Sequence, residues 1–142
     1  MKLRAVVPGE PVPQGRPRFR RAGDHVIAYD PAKSREYKRT VQLVARSRAP
    51  ERPLEGAVRL TLVIYRAVPK SASKRKAGRM LEGRIRPTTK PDISNVLKGV
   101  EDALKGVWYK DDSQIVEYGE VSKYYGEEPK IIVEVEEIEQ AF

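Results

Sequence analysis

Apolar and polar residues alternate over residues 2–7 (KLRAVV), which predicts a strand. The following PGEPVPQGRPR is too rich in Pro and Gly for a regular element. Val26–Tyr29 predicts a short strand, and Asp30-Pro31 then has the form of a helix start. The helix is expected from Ala32 to about Arg48. Tyr37, Val41, Val44 and Ala45 form its apolar stripe, and Pro50 and Pro53 end it. VRLTLVIY, residues 58–65, is the strongest strand signal, with Leu60, Leu62 and Ile64 on one side. Residues 70–90 contain few large apolar side chains and read as a basic loop, with room for a short helix within Ser71–Leu81. A second long helix is expected from Asp92 to Lys105, stopped by Gly106. Strands at Gln114–Lys123 and Lys130–Ile138 follow, with YYGEEP between them reading as a hairpin. The expected fold class is α+β: residues 1–142 form one domain, a mixed β-sheet with two main helices packed on one face.

Composition narrows the chemistry. At 142 residues the chain has enough length for one core. It has no cysteine and one histidine, His25, which excludes disulfides, thiolate metal sites and multi-histidine centres. No apolar run approaches the ~20 residues of a membrane span, and MKLRAVVPGEP lacks a signal peptide's apolar stretch. A soluble, cytoplasmic protein is the expectation. The net charge is +8, unevenly placed. Residues 1–50 and 51–100 each hold 12 basic and 4 acidic side chains, whereas residues 101–142 hold 4 and 12. A basic majority beside a concentrated acidic minority suits a polyanion-binding surface next to a small acidic centre.

Two basic clusters are the candidate nucleic-acid contacts. One is Arg16, Arg18, Arg20 and Arg21. The other runs from Lys70 through Lys74, Arg75, Lys76 and Arg79 to Lys90. Such side chains displace counterions from phosphates, and plain solvated surface charge is the alternative. Phe19, among the arginines, is either a stacking wedge at an unpaired base or an anchor in the core. Trp108 and Tyr109 read as core residues that fix the acids after them. Gly99, in mid-helix, costs helix stability and points to close approach by another backbone.

On a wheel of about 100° per residue, the second long helix turns Ile93, Val96, Leu97, Val100, Ala103 and Leu104 to one side. Asp92, Asn95, Lys98 and Asp102 fall on the other. Asp92 is either an N-cap or a functional acid. Asp102, beside Lys98 and Lys105, is either a salt-bridge partner or a functional acid. The acidic pair Asp111-Asp112 follows closely enough that a short return would bring it near the helix's polar face. Carboxylates converging there would supply hard oxygen ligands for Mg²⁺. Lys98 would stabilise charge developing on a phosphate.

The stretches TKPDISNVLKGVEDAL (89–104) and WYKDDSQIVEYGEVSKYY (108–125) resemble the RusA family of Holliday junction resolvases. VPGEPVPQGRPRFRR, YDPAKSREYKR and VPKSASKRK are similar to its phage and prophage branch. The resemblance implies a homodimeric, Mg²⁺-dependent endonuclease, with Mn²⁺ as an alternative metal, that makes paired symmetric incisions across four-way DNA junctions. It also implies roles for particular residues. Asp92 matches the first acid of the family's D-x-D-N motif, Asn95 its asparagine and Lys98 its essential lysine. Asp111 and Asp112 match the acidic pair, with Asp112 the metal-associated member, and Asp102 matches the acid of D-A-L. The implied catalytic residues are Asp92, Lys98, Asp111 and Asp112. The implied metal ligands are Asp92, Asp102, Asp111 and Asp112, with Asn95 among the DNA-facing residues. Ser94 departs from the motif, standing where the family has its second aspartate. Three consequences are open: weaker metal binding, an oxygen supplied instead by Asp102 or Asp111, or a branched-DNA-binding protein without activity. An RNA-binding protein on the same scaffold is the remaining alternative.

Overall fold

The computed structural model covers residues 1–142 and describes all of them except Pro17 and Asp30, with Tyr29 described by its backbone alone. The elements in chain order are β1 (Lys2–Pro8), β2 (Arg18–Ala22), β3 (His25–Tyr29), α1 (Ala32–Arg46) and β4 (Val58–Ala67). They are followed by α2 (Lys74–Leu81), α3 (Ile93–Leu104), β5 (Ile115–Gly126) and β6 (Lys130–Glu137). A single 3₁₀ turn, Asp112–Gln114, precedes β5. Asp30, expected to lead α1, lies outside the described residues.

Four strands form a mixed sheet in the order β1-β6-β4-β5. The alternation in β1 buries Leu3, Ala5 and Val7 and leaves Lys2, Arg4 and Val6 outside. Antiparallel pairing sets Leu60, Leu62 and Ile64 of β4 opposite Val135, Val133 and Ile131 of β6, all six fully buried. α1 and α3 cover this face and pack on each other. Trp108 and Tyr109 complete the core, and the Trp108 indole donates to the Ala45 carbonyl at 2.8 Å. The α+β reading and the two main helices agree with this architecture. Among the described residues no helix is long and apolar enough to cross a membrane.

Three expectations need correction. YYGEEP does not close a hairpin between neighbours: β5 runs parallel to β4, and β4 lies between β5 and β6. The strongly apolar β4 takes a partner on each edge, and the chain passes over its end, where the Val68 N–H donates to the Gly126 carbonyl. The 70–90 stretch, by contrast, holds the short helix for which the sequence leaves room within Ser71–Leu81. That helix, α2, is capped by Ser73, whose hydroxyl accepts from the Lys76 N–H at 3.2 Å, and anchored by buried Met80. Arg18 begins a strand, β2, although it falls in the stretch read as irregular. α1 also ends at Arg46, two residues short of Arg48.

Candidate functional site

The helix wheel of α3 holds in the fold. Val96, Val100, Ala103 and Leu104 are buried, and Ser94, Asn95, Lys98 and Asp102 are exposed. Asp92 occupies the N-cap position, yet its carboxylate caps no backbone amide. Both of its oxygens instead accept from Lys90 Nζ at 2.9 Å. The simple capping role therefore does not account for this acid.

The N-terminal end of α3 is held by cations that sequence reasoning passed over. Lys123 of β5 donates to the Thr89 and Pro91 carbonyls at 2.9 and 3.0 Å. Arg66 of β4 donates to Glu10 at 3.0 Å and to the Lys90 carbonyl. Nothing in the local pattern marks these two residues: Lys123 ends one expected strand and Arg66 follows another. Beside them, the Gln14 N–H donates to the Asn95 carbonyl at 2.9 Å. Gln14 also accounts for Gly99: a Cβ there would lie 3.7 Å from the Gln14 backbone nitrogen, which is ordinary contact. The expected close approach is present and is not tight.

The opposite end of α3 gathers the acids. Asp102 pairs with Lys38 of α1 at 2.6 Å rather than with Lys98 or Lys105. Asp111 accepts from Lys105 at 3.0 Å, from the Ser113 N–H at 3.1 Å and from the Ser113 hydroxyl. The Ser113 hydrogen bonds, and then Lys105, hold its pKa down at about 2. Asp111 also forms a capping box with Gln114, whose amide donates to the Leu54 and Gly56 carbonyls at 2.8 and 2.9 Å. This acid thus fastens the entry to β5.

Asp112 is exposed, and its charge acts on Glu101, Tyr109, Tyr118 and Lys105. Glu101 is the acid that sequence reasoning missed. It accepts from the Tyr118 hydroxyl at 2.9 and 3.2 Å. Burial raises its pKa, the Tyr118 bond opposes the rise, and Asp112 adds to it. Tyr118 is itself pushed up to about 12, by burial first and then by Glu101 and Asp112. The spacing Ser94, Lys98, Glu101, Lys105 is a helical stripe, and that signal would have found Glu101.

The short return after α3 therefore brings Asp111 and Asp112 to the helix's C-terminal end, not to Asp92. Ten residues of helix separate Asp92 from Asp102, about 15 Å at a rise of about 1.5 Å per residue. Tyr109 sets this geometry: it is buried, and its hydroxyl donates to the Glu101 carbonyl at 2.5 Å. Among the described residues no three Asp, Glu, His or Cys side chains form a metal-holding group. Mg²⁺ keeps several waters and commonly takes one or two carboxylates together with substrate phosphate. Asp112 and Glu101 are two carboxylates whose charges act on each other at this end of α3. Asp92, Asp102 and Asp111 each already have a lysine partner.

The candidate DNA contacts Arg16, Arg18, Arg20, Arg21, Lys70, Lys74, Arg75, Lys76, Arg79 and Lys90 are all exposed. Phe19 is exposed on β2, so it is not a core anchor.

A family model described as "Endodeoxyribonuclease RusA" matches residues 8–136. The chain is also 46% identical over 138 residues to "Uncharacterized protein YqaN" of Bacillus subtilis (strain 168), covering 96% of each chain. The matched span takes in both ends of α3, the acidic pair and both basic segments.

Proposed function

The chain belongs to the RusA family of endodeoxyribonucleases, and from that premise we propose that it is a Mg²⁺-dependent nuclease that resolves four-way DNA junctions by paired, symmetric phosphodiester hydrolysis. The observation that carries the reading is Asp112, an exposed carboxylate beside the half-buried Glu101, in a chain of net charge +8. Asp112 and Glu101 would hold Mg²⁺ or Mn²⁺ with the help of a substrate phosphate, whereas Asp92 stands apart from them at the other end of α3, paired with Lys90. The chemistry that such an ion would supply there is polarisation of the phosphoryl oxygens and a lowered pKa for an attacking water.

The chain's own residues do the rest. Exposed Lys98 faces the phosphate and offsets the negative charge that develops there. Asn95 orients the strand at the N-terminal end of α3. Lys105, paired with Asp111, keeps that acid out of the reaction and close to its turn. The arginines and lysines of residues 16–21 and 70–90 bind backbone phosphates and set a salt-dependent affinity. A two-fold homodimer matches the approximate two-fold symmetry of a four-way junction, placing two identical sites on equivalent strands.

Incubating the protein with an end-labelled immobile junction and a matched duplex, in Mg²⁺ or EDTA, tests this reading. Symmetric nicks in the junction alone, dependent on metal and lost in Asp112→Asn and Lys98→Ala, are expected. Ser94, in place of the family's second aspartate, favours a second reading, a branched-DNA-binding protein without chemistry. Tight junction binding with no incision in Mg²⁺ or Mn²⁺ would establish that alternative.

A further inference from the structure

The pair β2–β3 forms a two-stranded sheet separate from the main one. Within β2 all residues but Ala22 are exposed, and His25 to Ala28 of β3 are exposed as well. Phe19 is 68% exposed and Val26 69%. The register sets Phe19 opposite Ala28 and Arg21 opposite Val26, so these four share one face, while Arg18, Arg20 and Ile27 share the other. A lone two-stranded ribbon is marginally stable in water, and exposed apolar side chains on it favour a partner.

Charge indicates which partner. A cleft of about 490 Å³ at the base of the hairpin is lined by Arg18, Pro31, Ala32, Lys33 and Arg35, with no acid among the described residues of its walls. A second copy of so basic a ribbon would be repelled, whereas a polyanion would be attracted. The root of the hairpin is also fixed. Buried Ser34 accepts from the Gly15 N–H at 3.0 Å and donates to the Pro13 carbonyl at 3.3 Å. A Cβ on Gly15 would lie 2.7 Å from Pro31 Cγ, so only glycine fits there. The neighbouring Gln14 bond to Asn95 ties this root to the polar face of α3.

We propose that the β2–β3 hairpin reads the branch point of DNA. One strand's phosphates lie in the cleft at Arg18, Lys33 and Arg35, and Phe19 with Val26 covers an unstacked base. The inference rests on the nuclease reading above and adds its source of structure selectivity. Intact duplex keeps its bases stacked, so Phe19 contributes only where a branch exposes one.

The test uses the full chain carrying Asp112→Asn, a four-way junction with 2-aminopurine at its branch, and a matched duplex at one salt concentration. Phe19→Ala is expected to lower junction affinity by about 10-fold, to abolish the 2-aminopurine response and to leave duplex affinity unchanged, while Phe19→Trp restores both losses. Arg18→Ala with Lys33→Ala is expected to weaken both DNAs alike and reduce the salt slope by about two. Unchanged junction affinity and fluorescence in Phe19→Ala would overturn the hairpin's role alone. A shift in oligomeric state on sedimentation of Phe19→Ala would likewise overturn it, assigning the ribbon to a second copy. A parent protein with no preference for the junction would overturn the nuclease reading and the hairpin's role together.

Discussion

Asp112 raises the pKa of Glu101, a carboxylate already lifted by burial and only partly relieved by the Tyr118 hydroxyl. A raised carboxyl pKa means that the folded protein binds protons more readily than the unfolded one. Its favourable contribution is present below the ordinary glutamate range and is lost as pH rises through the folded value.

Glu101→Gln should therefore be more stable than the parent at neutral pH and close to it near pH ~4. The glutamine oxygen still accepts from Tyr118. Urea midpoints at the two pH values check this, and a loss of stability at neutral pH would contradict it. Weaker Mn²⁺ binding by calorimetry should accompany the gain in stability.

Asp111 behaves in the opposite sense. Its pKa is held at about 2 by Ser113 and Lys105, below the ordinary value of 3.8. The stability it contributes is present above the ordinary value and falls away as pH drops from there toward the folded value. Asp111→Asn should flatten the pH dependence of the urea midpoint across that acid window. A parent-like slope in the variant would show that other carboxylates carry it.

Lys38, largely shielded at 13% side-chain exposure, pairs with the more open Asp102 to join α1 and α3. A partly exposed pair contributes about 0.5–1 kcal/mol. Lys38→Met and Asp102→Asn should each lose about that amount, and the double variant should lose no more than either alone. Additive losses in chemical denaturation would show that the two side chains act independently.

Gly99→Ala should raise stability by about 0.5–1 kcal/mol, because alanine is the better helix former. The added methyl would meet Gln14 at 3.6–3.7 Å, without a clash. A higher melting temperature is the expected readout, and a lower one would mean that the Gln14 segment cannot accept the methyl.

Trp108→Phe removes a fully buried indole and leaves the Ala45 carbonyl without its donor. A loss of about 2–3 kcal/mol is expected in urea unfolding. A loss below 1 kcal/mol would show that the core closes around the smaller ring.

Local pattern was sufficient where one element buries one face. The alternation of β1 and β4, the stripe on α1 and the two faces of α3 all follow from side-chain period, because core and solvent impose that period directly. The α+β class, the polar face with Asp92, Asn95 and Lys98, and the burial of Trp108 and Tyr109 were legible for this reason. The family resemblance was equally legible, since it lies in linear motifs. Tertiary structure alone decided relationships between segments distant in sequence. It inserted β4 between β5 and β6, because pairing partners are chosen by burial across the sheet rather than by proximity along the chain. It also placed Asp112 near Glu101 and Asp111 against Lys105, instead of near Asp92, because buried Tyr109 fixes where the return after α3 can run. Which lysine neutralises which acid was likewise settled only there: Lys38 reaches Asp102 from another helix, across 64 residues of sequence.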